Sequence, residues 1–303
     1  MEKSSLKSGF LLFLAAFIWG VAFVAQRVGM DYMGPLSFNG ARFLMGSIVL
    51  LPLVCFRRSQ NKKAGIAPAD TKTTIVGGVC CGLALCAAAL MQQFGILYTT
   101  VGKAGFITTL YIILVPIFGI FLKKKIPAMV WIGAVIAAFG MYLLCMNGGF
   151  ALGKGDTYVF ICAILFAVHI LVIDYFSPKA DGVELSCIQF FVAGIIASFL
   201  AFLFEEPTLG GFIAGIIPLA YAGIMSSGVA YTLQIIGQKN MDPTVASLIL
   251  SLESVVSMLA GWVILGQALT GRELAGCGLV FLAVILVQLP KEWFSFLLKG
   301  KEN

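Results

Sequence analysis

The sequence predicts an all-α membrane protein: ten transmembrane helices forming two five-helix repeats of inverted topology, with both termini in the cytoplasm. Three observations carry this expectation. Of 303 residues, 60% are hydrophobic and only 11% are charged, against about 25% charged in soluble domains. Ten stretches are apolar over the roughly 20 residues that a membrane helix needs: 8–29, 36–56, 73–98, 104–122, 128–146, 156–176, 184–204, 211–238, 244–265 and 272–290. None alternates as a membrane β-barrel strand must, and the connections are too short to hold a soluble domain.

The first stretch contains "FLLFLAAFIWGVAFVAQ" (10–26). It is longer than the roughly 7–15 residues of a signal-peptide core and has a counterpart later in the chain, so it reads as a membrane helix. If the helices alternate in direction, Lys3, Lys7, the basic residues from Arg57 to Lys72, Lys123 to Lys125, Lys179, Lys239, Lys291, Lys299 and Lys301 share one side. Only Arg27, Arg42, Lys103, Lys154 and Arg272 fall nearer the other. Cytoplasmic loops collect Lys and Arg, which places both termini inside. The net charge of +6 is therefore topological, and no nucleic-acid partner is expected.

Two offsets relate the halves. A shift of 147 sets "AAFIWGVAFVAQRV" (15–28) on "CAILFAVHILVIDY" (162–175), Phe43 on Phe190 and Arg42 on Gln189. A shift of 142 sets Gln92 on Gln234, Gly95 on Gly237, Ala104 on Ala246, Leu110 on Leu252 and Tyr111 on Glu253. The units are 1–148 and 149–303. An odd number of helices per unit turns the second copy over in the membrane. Inverted repeats are a recurring transporter design with the site near the midplane at their interface.

The fifth and tenth stretches carry almost nothing polar. Gly133/Ala137 and Ala275/Gly278 give them close-packing spacing, so they read as a scaffold or a dimer face. Polar residues gather on the other eight. The candidates for a substrate pathway are Trp19, Asn39, Arg42, Gln92 and Tyr111 in the first unit, and His169, Gln189, Tyr231, Gln234 and Glu253 in the second. Asn39 and Arg42 are three apart and share a helix face. Intramembrane ionisable groups are rare and usually face a bundle interior or a water-filled cavity. Glu253, near the middle of "SLILSLESVVSMLAGW" (247–262), is therefore the leading candidate, as a substrate-amine or proton site. His169 titrates near neutrality in its unperturbed form and is a candidate proton-coupling partner for Glu253. Arg27 reads as a residue reaching for the membrane interface, and Asp174 as a cap or a partner of Lys179. Pro116, with Gly102 and Gly105, offers a hinge because proline removes a helical hydrogen bond.

No GxxxxGK[ST] loop is present, which excludes ATP-driven transport by this chain alone. The eight cysteines lack CxxC or Cys/His metal spacing and read as packing residues. No metal or cofactor is expected. One histidine, few deep acids and short loops argue against an integral membrane enzyme. A channel or facilitative pore is the alternative class, although no helix-breaking filter ring is evident.

Four stretches carry a family likeness: "FIWGVAFVAQRVG", "PLSFNGARFLMGS", "YTTVGKAGFITTLYIILVP" and "DPTVASLILSLESVVSMLAGWVILGQALTGRELAGCGLVFLAVIL". Over nearly its whole length the chain resembles the EamA-type permeases of the bacterial drug/metabolite transporter superfamily. The resemblance implies a five-plus-five inverted repeat around a central substrate cavity, in the bacterial inner (cytoplasmic) membrane. Members move amino acids, related metabolites, drugs or nucleotide sugars, commonly outward. Two positions depart from the family pattern. A Glu-Pro pair is replaced by Glu253-Ser254, which removes a helix-weakening proline, and a Gly-Glu turn is replaced by Gly266-Gln267. The expectation is a secondary transporter exporting a small polar metabolite such as an amino acid by alternating access. Its partners would be that solute and the lipid bilayer, with protons as a candidate coupling ion and a monomer or dimer as the assembly.

Overall fold

The computed structural model describes residues 2–65, 70–123, 126, 128–145, 153–239, 241–266 and 270–288. Lys124, Lys125, Lys291, Lys299, Lys301, Gln267 and the expected boundary between units at 148/149 lie outside them. Among the described residues the chain is all-helical. The helices are α1 (Glu2–Gly29), α2 (Pro35–Lys63), α3 (Thr71–Ile96), α4 (Val101–Phe121), α5 (Ala128–Cys145), α6 (Lys154–Phe176), α7 (Gly182–Phe204), α8 (Ile216–Gln238), α9 (Pro243–Leu265) and α10 (Gly271–Gln288). A short helix, Leu209–Ala214, leads into α8. Eight of these are long and apolar enough to cross a membrane, while α5 and α10 contain shorter apolar stretches.

Helix starts follow local chemistry. Pro35 and Pro243 occupy first-turn positions, where a missing N–H leaves no orphan donor. Thr100 and Asp242 cap α4 and α9 by accepting from Lys103 N and Thr244 N. Asp70 caps α3, and hydrogen bonds from the Thr73 hydroxyl and then its amide hold the Asp70 carboxyl below the usual carboxylate range. Helix α2 runs past its apolar stretch to Lys63, so Arg57 and Arg58 extend from its basic end. Arg57 pairs with Asp181 at 3.1 Å, and Arg58 binds Glu184 through two bonds of 2.6 and 2.8 Å.

Three helices depart from regular α geometry. Helix α4 breaks at Leu110, whose amide bonds Ile107 O, ahead of the proline at 116. Helix α9 breaks at Ser251 with no proline nearby. A ladder of hydroxyls takes the proline's place: Ser247, Ser251, Ser254 and Ser257 each donate to the carbonyl three residues back, at 2.7–2.8 Å. Such back-bonding competes with the helical ladder and bends it. In α8 the segment Tyr221–Tyr231 is a π-helix, a wider form that recurs at functional sites.

Packing arranges α1, α8, α2, α7, α3, α6, α4 and α9 as a ring of neighbours, and α5 packs on α10 beside it. The α5–α10 seam closes where a Cβ on Gly140 would lie 2.8 Å from Gly276 O, whereas Gly278 has nothing near its own Cβ position. At the α2–α7 seam, a Cβ on Gly194 would sit 2.9 Å from the Leu44 amide nitrogen. Phe43 and Phe190 stack nearby with ring centroids 6.0 Å apart and planes 7° apart.

The other end of that seam is tied by Glu205. Its Oε1 accepts from Leu36 N at 2.8 Å, and its Oε2 from Ser37 N at 2.8 Å and Ser37 Oγ at 2.6 Å. A carboxylate at a helix N-terminus satisfies orphan amides and complements the macrodipole. Glu205→Ala is expected to destabilise the protein by about 1–2 kcal/mol, read as a lowered melting temperature in detergent.

Candidate functional site

Seven of the eight ring helices, all but α7, line a central cavity. Its volume is about 30 Å³, room for roughly two water molecules. Of the ten sequence candidates, Trp19, Arg42, Gln92, Tyr111, Tyr231, Gln234 and Glu253 line it, and Asn39, His169 and Gln189 do not.

Each lining side chain is placed by local structure. The breaks at Leu110 and Ser251 immediately precede Tyr111 and Leu252-Glu253, so both interruptions lie at the cavity. The Tyr111 hydroxyl donates to Glu253 Oε1 at 2.9 Å. The two residues related by the 142-residue shift therefore touch. Helix α1 reaches the same place because residue 20 is glycine: a Cβ there would collide with Val256 Cβ and lie 2.9 Å from Glu253 O. Glu253 is 5% exposed.

Aromatic rings also line the cavity. Trp19 and Tyr231 lie with centroids 4.5 Å apart, and Trp19 Nε1 donates to Ser226 O at 3.2 Å inside the π segment. That segment is anchored to α1 a second time by the Tyr221 hydroxyl, which donates to Ile18 O at 3.1 Å. Gln92 Nε2 donates to Thr108 Oγ1 at 3.2 Å. Gln92 and Gln234, another pair related by the 142-residue shift, both reach the cavity.

Arg42 is the other charged lining residue, and it is 1% exposed. Its guanidinium stacks over Phe43 at 4.6 Å and Phe38 at 5.8 Å. Neither Nε nor Nη2 has a hydrogen-bond partner among the described residues.

The three candidates outside the cavity are held by neighbours. His169 Nε2 meets Gln189 Oε1 at 3.1 Å, so the histidine bonds α7 rather than Glu253. Asn39 gives its amide to Pro35 O and Ala89 O, joining α2 to α3. Near the surface, Arg27 pairs with Asp31 at 3.3 Å, and Lys179 lies over the Tyr175 ring at 3.2 Å. Among the lining residues, the candidate set omits Gln26, Thr108 and Ser226, together with the apolar walls Phe23, Phe166, Ile170 and Leu250. Thr108 lies one turn before Tyr111, which is a signal that spacing alone offers.

The model of the EamA-like transporter family matches residues 6–146 and again 153–289. The chain belongs to that family. It is similar to an uncharacterized transporter of Archaeoglobus fulgidus, 30% identical over 280 residues that cover 92% of this chain and 84% of the relative. The uncharacterized inner membrane transporter YedA of Escherichia coli strain K12 is 23% identical over 295 residues, covering 93% and 91%. A solved crystal structure superposes with a TM-score of 0.73 at 17% identity, covering 92% of this chain and 96% of the other, which shows a shared fold. This family member is a multi-pass membrane transporter.

Proposed function

We propose that this member of the family is a secondary transporter that exports a small polar metabolite, such as an amino acid or related compound, across a bacterial inner membrane. In this reading all ten helices span the bilayer as two inverted five-helix repeats, 1–148 and 149–303, with cytoplasmic termini. Access to the central cavity then alternates between the two sides. The packing supports it. Exchanging α1–α5 for α6–α10 turns the α3–α6 contact into α8–α1, α1–α9 into α6–α4 and α3–α7 into α8–α2, and leaves α2–α7 and α5–α10 unchanged. All of these contacts occur.

The observation that carries the functional reading is the Tyr111–Glu253 hydrogen bond at the cavity wall, where two broken helices from the two repeats meet. Discontinuous helices at the repeat interface are where such transporters place their substrate sites. A cavity of about 30 Å³ must widen to hold a metabolite, and rocking of the halves supplies that change. A thermal-shift screen of the purified protein against amino acids, polyamines, nucleotide sugars and cationic drugs tests the substrate class. Amino acids are expected to raise the melting temperature, with about 2.7 kcal/mol of stabilisation at one hundred times Kd. Stabilisation by nucleotide sugars or cationic drugs alone would overturn the assignment.

A further inference from the structure

We infer that the cavity recognises a zwitterion by both ends, with Arg42 holding the carboxylate and Glu253 receiving the ammonium. The inference rests on the reading of this cavity as a substrate site and specifies the chemistry that the site demands.

The starting point is the state of Arg42. A guanidinium presents five N–H donors in a rigid fork suited to carboxylates. Here the side chain is 1% exposed, lines the cavity, and leaves Nε and Nη2 without a partner among the described residues. None of the ion pairs formed among those residues involves it. Two phenylalanine rings, at 4.6 and 5.8 Å, are its cation–π neighbours. Cation–π contact offsets only part of the penalty for burying an unpaired charge. A buried arginine needed only for packing would be matched by a carboxylate or carbonyl. An anionic group arriving in the cavity completes the fork.

Glu253 sets the second requirement. Its Oε1 accepts from Tyr111, and the carboxylate also lines the cavity. A simple organic anion would satisfy Arg42 but face this carboxylate. A simple amine would satisfy Glu253 but face the guanidinium. Only a substrate carrying both charges leaves neither uncompensated. Between them Trp19 and Tyr231 offer a ring wall for the carbon skeleton.

The test uses full-length protein in proteoliposomes and matched sets of solutes: leucine, 3-methylbutylamine and 4-methylpentanoic acid, with alanine, ethylamine and propanoic acid as a second set. Each competes for exchange of a labelled amino-acid mixture. The amino acid of at least one set is expected to compete about 100-fold or more better than its amine and its acid, because a site built to bond a group rejects analogues lacking it. In Arg42→Gln the amino acid should lose its advantage over the amine. In Glu253→Gln it should lose its advantage over the acid. Arg42→Lys, which keeps the charge without the fork, should retain part of the first advantage and covers the case in which Arg42→Gln does not fold. Amino-acid exchange in which the amine or the acid competes equally well would overturn the inference while leaving amino-acid transport intact. Discrimination against the amine that survives in Arg42→Gln, or that stays at its full wild-type size in Arg42→Lys, would also overturn it. Exchange of other solutes with no amino-acid exchange at all would overturn the functional reading itself.

Discussion

Glu253→Gln is expected to lower transport by about tenfold or more at matched protein level, because a hydrogen bond to a charged group contributes roughly 1.5–3 kcal/mol. The loss falls on function rather than folding. Glutamine preserves the side chain's length and an oxygen that can accept from the Tyr111 hydroxyl, which donates to Glu253 Oε1 at 2.9 Å. What disappears is the capacity to carry a negative charge, whose placement at a membrane helix centre costs about 2.5–3.5 kcal/mol on insertion scales. The variant should therefore melt at or above the wild-type temperature. Tyr111→Phe removes only the donor and should have a smaller effect on transport. Uptake unchanged in Glu253→Gln would exclude the carboxylate from the path.

The second large effect is structural. Gly194→Val should destabilise the protein by about 3 kcal/mol or more, since overpacking a tight seam typically costs about 1–3 kcal/mol and occasionally more. A Cβ at this position would lie 2.9 Å from the Leu44 amide nitrogen and 2.8 Å from Leu44 Cγ. Backbone cannot step aside as a side-chain end can, so α2 and α7 must separate. The stacked Phe43 and Phe190 pair lies next to this contact. Reduced yield and a lowered melting temperature are the readouts, and Gly194→Ala should show the same direction with a smaller size. Gly278→Ala in α10, where a Cβ would meet nothing within 4 Å, is the matched control and should be close to neutral.

Much of this architecture was legible because lipid imposes a simple rule. Apolar stretches of membrane length placed α1 to α10 within a few residues. The exceptions lie where helices extend past those stretches, as α2 does to Lys63 on Arg57 and Arg58. Offset comparison brought Tyr111 onto Glu253, and the two touch. The break in α9 was obscured because proline is the familiar signal for one, and residue 254 is serine. The spacing of Ser247, Ser251, Ser254 and Ser257 held the information in another form. The π segment of α8 left no compositional mark beyond small residues such as Gly223, Ser226 and Gly228. His169 shows the remaining difficulty. Its depth suggested a partner for Glu253, but the rotation of α6 turns it to Gln189, and sequence spacing does not reveal which neighbour a helix face meets.

Trans-acceleration tests alternating access most directly. Proteoliposomes holding the wild-type protein are loaded with a labelled amino acid that passes the thermal-shift screen, and its efflux is timed with and without the unlabelled compound outside. Reorientation about one central site predicts faster efflux when the external solution contains substrate, and an accelerated efflux about tenfold slower in Glu253→Gln. Efflux indifferent to external substrate would contradict the account and identify the protein as a pore.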